Sequence, residues 1–396
     1  MHEPSSFPTV PRVLFLGSYP PRECGIATFT KDMVDAFDRV FGTRSAVVAV
    51  DEPGGELRRY PPEVIARLQE QERASYSEAA ASIDAHPAEI LNIQHEYGLF
   101  GGEWGEWLLD LVRQVRKPIV LTLHTVLPRP DAKVLEVTRE LVRFSNLTVA
   151  LSETGRMLLE QTYGVNPSKL RVVHHGVPDV PFRDTAQAKA SFGIGQRTVI
   201  STFGLINRGK GLEYAIEAMR EVVPRHAEVL YLILGETHPV VRRHEGESYR
   251  ASLQEMIHAY GLENNVRLID KYLSFEELVG YLEATDVYLT PYLNPDQIVS
   301  GTLAYAVGCG KAIVSTPYLY ARELLANGRG LLCEFRDASS IARNVLALLD
   351  DPVLRRAVER RAYRFGRQMT WTHVAAEYGR LFCSLAPRAS VAAVPA

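Results

Sequence analysis

The chain has 396 residues, 46% of them hydrophobic and 23% charged, which is enough apolar material for two or three packed cores and excludes a small single module or a disordered chain. Its 44 Lys and Arg against 47 Asp and Glu leave a formal net charge of −3, which excludes bulk electrostatic attraction to nucleic acid or anionic lipid but permits a local basic pocket. The apolar runs at 118–123 and 229–234 fall far short of the ~18 residues that make a membrane span, so no transmembrane helix is expected and membrane contact would be peripheral at most.

From the N-terminus, residues 1–11 lack the basic and apolar regions of a secretory signal. Short β-branched runs then alternate with amphipathic stretches, the pattern of parallel sheets wound with helices. Strands are predicted over 12–17, 45–50, 90–94, 119–124, 147–151 and 171–174, and helices over 27–40, 75–85, 104–116, 132–144 and 153–163, with a Pro- and Gly-rich loop over 52–62. At 174–182 the run His-His-Gly-Val-Pro-Asp-Val-Pro-Phe breaks both patterns and reads as a linker. The alternation restarts with strands over 198–204, 229–235, 266–269, 286–290, 312–315 and 330–333, and helices over 212–223, 248–260, 275–284, 320–326 and 339–349. Residues 352–386 are helical in pattern and Arg-rich, and 387–396 have the composition of a tail. The fold class predicted is α/β, two Rossmann-like βα domains with a cleft between them as the default site, over 1–177 and 178–368, followed at 369–396 by a C-terminal helix that packs back on the first domain and then the tail. Cys24, Cys309, Cys333 and Cys383 form no Cys-x-x-Cys pair, so neither a zinc site nor a disulfide framework is expected, and the profile is cytoplasmic.

Chemistry is expected at the strand ends. After the first strand, residues 18–28 lead into a helix through Gly25, where free backbone N–H groups and a helix dipole suit an anion; an ordinary βα turn is the alternative. His95, next to Glu96, and His124 lie at two strand ends on one predicted crevice side, where His95 and Glu96 are expected to meet the acceptor; structural histidines are the alternative. The glycine-rich loop 98–105 offers Glu103 and Trp104 to an acceptor sugar, or merely caps a helix. Arg208 and Lys210, bracketed by glycines before a helix, suit a departing diphosphate or a plain tight turn. Ser300, Gly301 and Thr302 at a further helix start would add N–H donors, and Asp296 is the carboxylate of that loop. The His- and Arg-rich stretch 237–249 either approaches the site or decorates the surface. Neither a GxGxxG fingerprint nor a GxxxxGK[ST] loop is present.

In order and spacing these segments resemble the retaining glycosyltransferases of the group 1, family 4 type, which include bacterial mannosyl- and glucosyltransferases and have the two-domain GT-B fold. The markers are the Gly25 loop, Leu123-His124-Thr125, Gly204 to Gly211, the strand and loop through Asp296 to Ala304, and Ala306-Val307-Gly308-Cys309-Gly310-Lys311-Ala312-Ile313-Val314. The resemblance implies an N-terminal acceptor domain and a C-terminal nucleotide-sugar domain. It implies that Gly25 lines the donor phosphate and acceptor region, that His124 and Asp296 contact the transferred sugar, and that Lys210 binds the donor diphosphate. It also implies that backbone groups around Tyr272 meet the base. The expected reaction moves a hexose from a GDP-mannose- or UDP-hexose-type donor to an acceptor hydroxyl by front-face displacement, with no metal and no covalently bound cofactor. Three positions depart from the family pattern: Leu205 stands where an arginine is expected, with Arg208 as its replacement; Asp296 stands for the first motif glutamate; and Ala304 stands for the second, which holds the ribose. Leu205 and Ala304 motivate an alternative, a weakened sugar- or nucleotide-binding scaffold subunit; a GT-B sugar phosphorylase or epimerase is the other.

Overall fold

The structure is a computed structural model that describes residues 10–53 and 58–386. The N-terminal residues before Val10, the centre of the loop expected over 52–62, and the tail 387–396 lie outside the described residues. The chain divides into two compact units, one running to His174 and resuming at Trp371, the other spanning His175–Thr370. Among the described residues no helix is long and apolar enough to cross a membrane.

The first unit runs β1 (Val13–Gly17), α1 (Gly25–Phe41), β2 (Ala46–Asp51), β3 (Val64–Gln69), α2 (Arg73–Ala85), β4 (Ile90–His95), α3 (Leu108–Val112), β5 (Ile119–Leu123), α4 (Ala132–Phe144), β6 (Leu147–Ala150), α5 (Glu153–Gln161) and β7 (Leu170–Val172). Its described strands form one sheet in the order β3-β2-β1-β4-β5-β6-β7, with every pairing parallel. The second unit runs α6 (Ala186–Ser191), β8 (Thr198–Phe203), α7 (Leu212–Val222), β9 (Val229–Leu234), α8 (Pro239–Glu245), α9 (Ser248–Ala259), β10 (Val266–Ile269), α10 (Phe275–Ala284), β11 (Val287–Thr290), α11 (Gly301–Gly308), β12 (Ala312–Ser315), α12 (Leu319–Leu324), β13 (Leu331–Leu332), α13 (Ala338–Asp350) and α14 (Pro352–Gly366). Its sheet order is β10-β9-β8-β11-β12-β13. Finally α15 (Trp371–Leu385) belongs to the first unit, where it packs on α1: Phe37 and Phe382 meet edge to face at 5.5 Å.

Most of the strands are buried on both faces, which is why they read as unbroken apolar runs such as Val-Leu-Phe-Leu-Gly and Val-Leu-Tyr-Leu-Ile-Leu. In each sheet the order reverses between the first strand and the one that follows the outer pair: between β1 and β4, and between β8 and β11. Ligands of open parallel sheets bind beyond the C-terminal ends of the strands at such a switch point. The connections at these switch points are those after β1, β4, β8 and β11.

Several local expectations are corrected. Strand β3 is additional to the expected strands and carries no apolar run, because it lies at the sheet edge and largely alternates half-buried with exposed residues. The helix expected over 104–116 is a 3₁₀ turn at Glu103–Gly105 followed by the short α3, because Gly102, Trp104 and Gly105 all take positive φ. The stretch 352–386 is two helices, α14 and α15, divided by the 3₁₀ turn Arg367–Met369. Helix α8 fills part of 237–249, and α6 follows the linker where no helix was expected.

The linker side of the second unit is fixed by one buried ion pair. Lys189 of α6 donates to Asp286 at 2.6 Å, and the same carboxylate accepts from the Val199 backbone at 2.7 Å and the Thr185 hydroxyl at 3.0 Å. Replacing Asp286 with Ala strands the Lys189 ammonium in a buried position and should cost ~3–5 kcal/mol, read as a loss of unfolding free energy in denaturant titration.

Candidate functional site

In the second unit, β8 ends at Phe203 and the chain turns through Gly204 and the 3₁₀ turn Arg208–Lys210 into α7. Gly204 has φ +115, and a side chain there would lie 3.1 Å from Lys210 Nζ; Gly211 has φ +60 and would place a Cβ against the carbonyl of Pro291. Both glycines are therefore required for the backbone to turn back against the strand ends. The turn delivers the Lys210 ammonium to Tyr292, whose hydroxyl accepts its hydrogen bond at 2.8 Å. Tyr292 in turn pairs with Thr302 at 2.8 Å, and Thr302 with Ser300 at 3.1 Å. Ser300 caps α11 by accepting from the Leu303 backbone at 3.3 Å. Lys210, Ser300, Gly301 and Thr302, which the sequence places more than ninety positions apart at the extremes, thus form one connected group around the start of α11. The N–H groups of the first helical turn and the ammonium together make a local positive centre in a chain of net negative charge.

Arg208 does not join that group. Its guanidinium pairs with Glu245 at 3.2 Å and lies over the Tyr249 ring at 5.1 Å, largely exposed. The stretch 237–249 accordingly sits beside this loop: Ile206 and Thr237 form a bridge, and His238 is pushed below the usual histidine range by burial, with Lys210 and Arg243 adding to the effect. Tyr272 is exposed, and its backbone N–H donates to Glu236 at 3.1 Å. Asp296 lies half-buried in the loop between β11 and α11. Ala304, at the position expected to hold a ribose, is fully buried in the core on α11. The adjacent Tyr305 faces the Phe203, Phe275 and His175 rings instead. Tyr292 and Glu236 carry no signal in the sequence, because a lone Tyr or Glu in a loop has no spacing pattern, whereas His238 lies in the His- and Arg-rich stretch 237–249.

In the first unit Gly25 opens α1 behind the N-cap Cys24, and a Cβ built on it would meet nothing within 4 Å, so this helix start is open to a ligand. His124 and His95 part company. The His124 imidazole Nε2 faces the Gln94 side-chain oxygen at 2.8 Å and the ring meets Phe29 edge-on at 4.7 Å. Glu96 is half-buried, accepts from Thr125 at 2.7 Å and from the Tyr97 backbone at 3.0 Å, and desolvation raises it above the usual carboxylate range. His95 is sealed. It is fully buried, stacked on Phe100 at 5.9 Å and edge-on to Tyr97 at 5.1 Å, with no hydrogen-bond partner for either ring nitrogen. The expectation that His95 meets an acceptor is therefore corrected: the loop 98–105 folds over it and leaves Trp104 and Glu103 exposed above.

Residues 184–365 match the model for glycosyl transferases group 1, and residues 24–179 that for glycosyltransferase family 4. An uncharacterized glycosyltransferase of Methanocaldococcus jannaschii is 22% identical over 243 residues, 60% of this chain, and the match spans 58% of that protein's length. A D-inositol 3-phosphate glycosyltransferase of Kineococcus radiotolerans is 25% identical over 316 residues, covering 72% of this chain and 70% of the relative. Among solved structures, Anabaena HepE in complex with UDP superposes with a TM-score of 0.74 at 17% identity, over 94% of this chain and all of that one. The sucrose-phosphate synthase of Thermosynechococcus elongatus gives 0.75 at 16% identity, over 94% and 99%.

Burial of His95 has a measurable consequence. Its folded pKa is held down at about 4 against 6.5 for a free histidine, so the unfolded chain takes up a proton that the folded chain refuses as pH falls from 6.5 toward 4. The stability this gives is complete above 6.5 and is lost on acidification through that window, to a limit of about 3 kcal/mol. His95→Phe keeps the ring stack, removes two unsatisfied nitrogens and should flatten the decline in melting temperature between neutral and acid pH. The chain belongs to the group 1, family 4 glycosyltransferases and has their GT-B class of two Rossmann-like domains.

Proposed function

We propose that this glycosyltransferase moves a hexose from a nucleoside diphosphate sugar to an acceptor hydroxyl with retention of anomeric configuration. The observation that carries the reading is the Lys210–Tyr292–Thr302–Ser300 group, a fixed ammonium beside the free N–H groups of a helix start at the switch point of the second sheet. A diphosphate is the ligand whose geometry and charge use both donors at once. Relatives named as inositol phosphate glycosyltransferases and a lipopolysaccharide core mannosyltransferase, and a neighbour solved with UDP-glucose, support a nucleotide-sugar donor.

In the proposed reaction the acceptor oxygen bonds to the anomeric carbon on the face from which the diphosphate leaves. The bond from that carbon to the phosphate oxygen breaks, and the acceptor proton passes to the departing oxygen. Lys210 and the N–H groups of Gly301 and Thr302 hold the charge that develops there, with no reorganisation needed at the moment of bond breaking. On the family resemblance we assign His124 and Asp296 each to the transferred sugar, Gly25 to the donor phosphate and acceptor region, and the Tyr272 backbone to the base. Arg208 joins the diphosphate only by leaving Glu245, so we assign it a smaller role than Lys210. Glu96, Glu103 and Trp104 stand for the acceptor. The full burial of Ala304 favours a second reading, a scaffold that binds donor without transfer; calorimetry that shows tight donor binding with no transfer to any acceptor selects it.

Transfer assays with GDP-, UDP- and ADP-sugars, with the anomeric configuration of the product read by NMR, test the proposal. One donor should turn over with its configuration kept, and an inverted product refutes retention. Lys210→Ala should lower kcat/KM by ~10²-fold or more with the fold intact, the size expected when one donor to developing charge is removed. Tyr292→Phe, which unties the ammonium but leaves it present, should lower it less.

A further inference from the structure

We propose that Gln94 is a positioning residue that fixes the tautomer of His124, so that in the neutral ring the proton sits on Nε2 and the lone pair on Nδ1. The backbone carbonyl of Val120 can only accept a hydrogen bond. Asn92 donates to it from Nδ2 at 3.0 Å and to the Thr122 hydroxyl at 3.3 Å. The Asn92 carbonyl oxygen must then face the other way, where Gln94 Nε2 donates to it at 2.5 Å. That turns the Gln94 oxygen toward His124, whose Nε2 lies 2.8 Å away. An oxygen with no proton requires a donor opposite, so Nε2 carries the hydrogen.

Neither amide can be reversed without penalty. Turning Asn92 over sets its oxygen against the Val120 oxygen, and turning Gln94 over sets it against the Asn92 oxygen. Asn92, Gln94 and Thr122 are fully buried and His124 nearly so, which leaves no water to relieve such a clash of acceptors. The ladder is anchored at its far end by Tyr378 of α15, whose hydroxyl pairs with Thr122 at 2.9 Å. The assignment thus rests on donors and acceptors alone and does not depend on what occupies Nδ1.

Its consequence is one of recognition. With the lone pair on Nδ1, a group that His124 meets there must donate a hydrogen bond. Under the transfer reading of the previous subsection, on which this step rests, that group is a sugar hydroxyl rather than a phosphate oxygen, and His124 acts as a hydroxyl reader rather than a proton donor.

The test uses the full chain labelled with ¹⁵N in its histidine rings and long-range proton–nitrogen correlation spectra near pH ~8, where imidazole is neutral. The His124 signals are identified by their loss in His124→Asn. The wild-type chain should show the Nε2–H pattern, and Gln94→Met, close in volume but unable to accept from the ring, should shift His124 toward a mixture or the Nδ1–H form. An Nδ1–H pattern in the wild type overturns the proposal, and so does a Gln94→Met spectrum identical to it. In parallel, Gln94→Met should lower turnover about tenfold or more, as misplaced histidine tautomers do; unchanged turnover despite a shifted tautomer overturns the positioning role. Absence of transfer in every chain tells against the transfer reading, and the tautomer is still decided by the spectra.

Discussion

Parallel pairing is the constraint from which the rest follows. When all the strands of a sheet run one way, each returning helix starts at the same edge, and that edge collects the helix N-termini and the loops that precede them. Both sheets of this chain obey it, and both reverse their order between a first strand and its later neighbour. At those reversals adjacent connections leave in opposite directions and part from each other, which opens space where a ligand meets backbone donors. Gly25 lies after β1, His124 after β5, Lys210 after β8 and Ser300 after the strand beside it, so the candidate residues are on the binding edge of their sheets because of strand direction.

Within that edge, charge is placed by short-range chemistry. Lys210 is held because Gly204 and Gly211 let the turn close against the strand ends and because Tyr292 and Thr302 fix its ammonium. Arg208, two residues earlier in the same turn, is drawn outward by Glu245 and the Tyr249 face. A near-neutral chain can thus present a concentrated positive centre without carrying a basic surface.

Much of the framework was legible before the structure. The buried strands announce themselves as continuous apolar runs, and the break at 174–182 is written in prolines and glycine. What was illegible had definite causes. Strand β3 hides in its edge position, where half of each residue pair faces solvent. The helix expected from Trp104 starts late because Gly102, Trp104 and Gly105 take positive φ, which the sequence pattern does not show. Tyr292 is ordinary in sequence and becomes important only because it stands between Lys210 and Thr302.

His95 and His124 show where the boundary falls. The sequence by itself determined that each ends a parallel strand, because the apolar run stops there and a glycine-rich loop follows His95 while Pro128 and Pro130 follow His124. It also determined the βα alternation, the break between the halves and the glycines that flank Lys210. Only the tertiary structure decided that Phe100 and Tyr97 close over His95 and deprive it of water, while Gln94 and the amide ladder behind it orient His124. The physical reason is that a strand end fixes a residue's height in the sheet. What covers it, and which hydrogen-bond partner faces it, comes from loops and from a neighbouring strand distant in sequence.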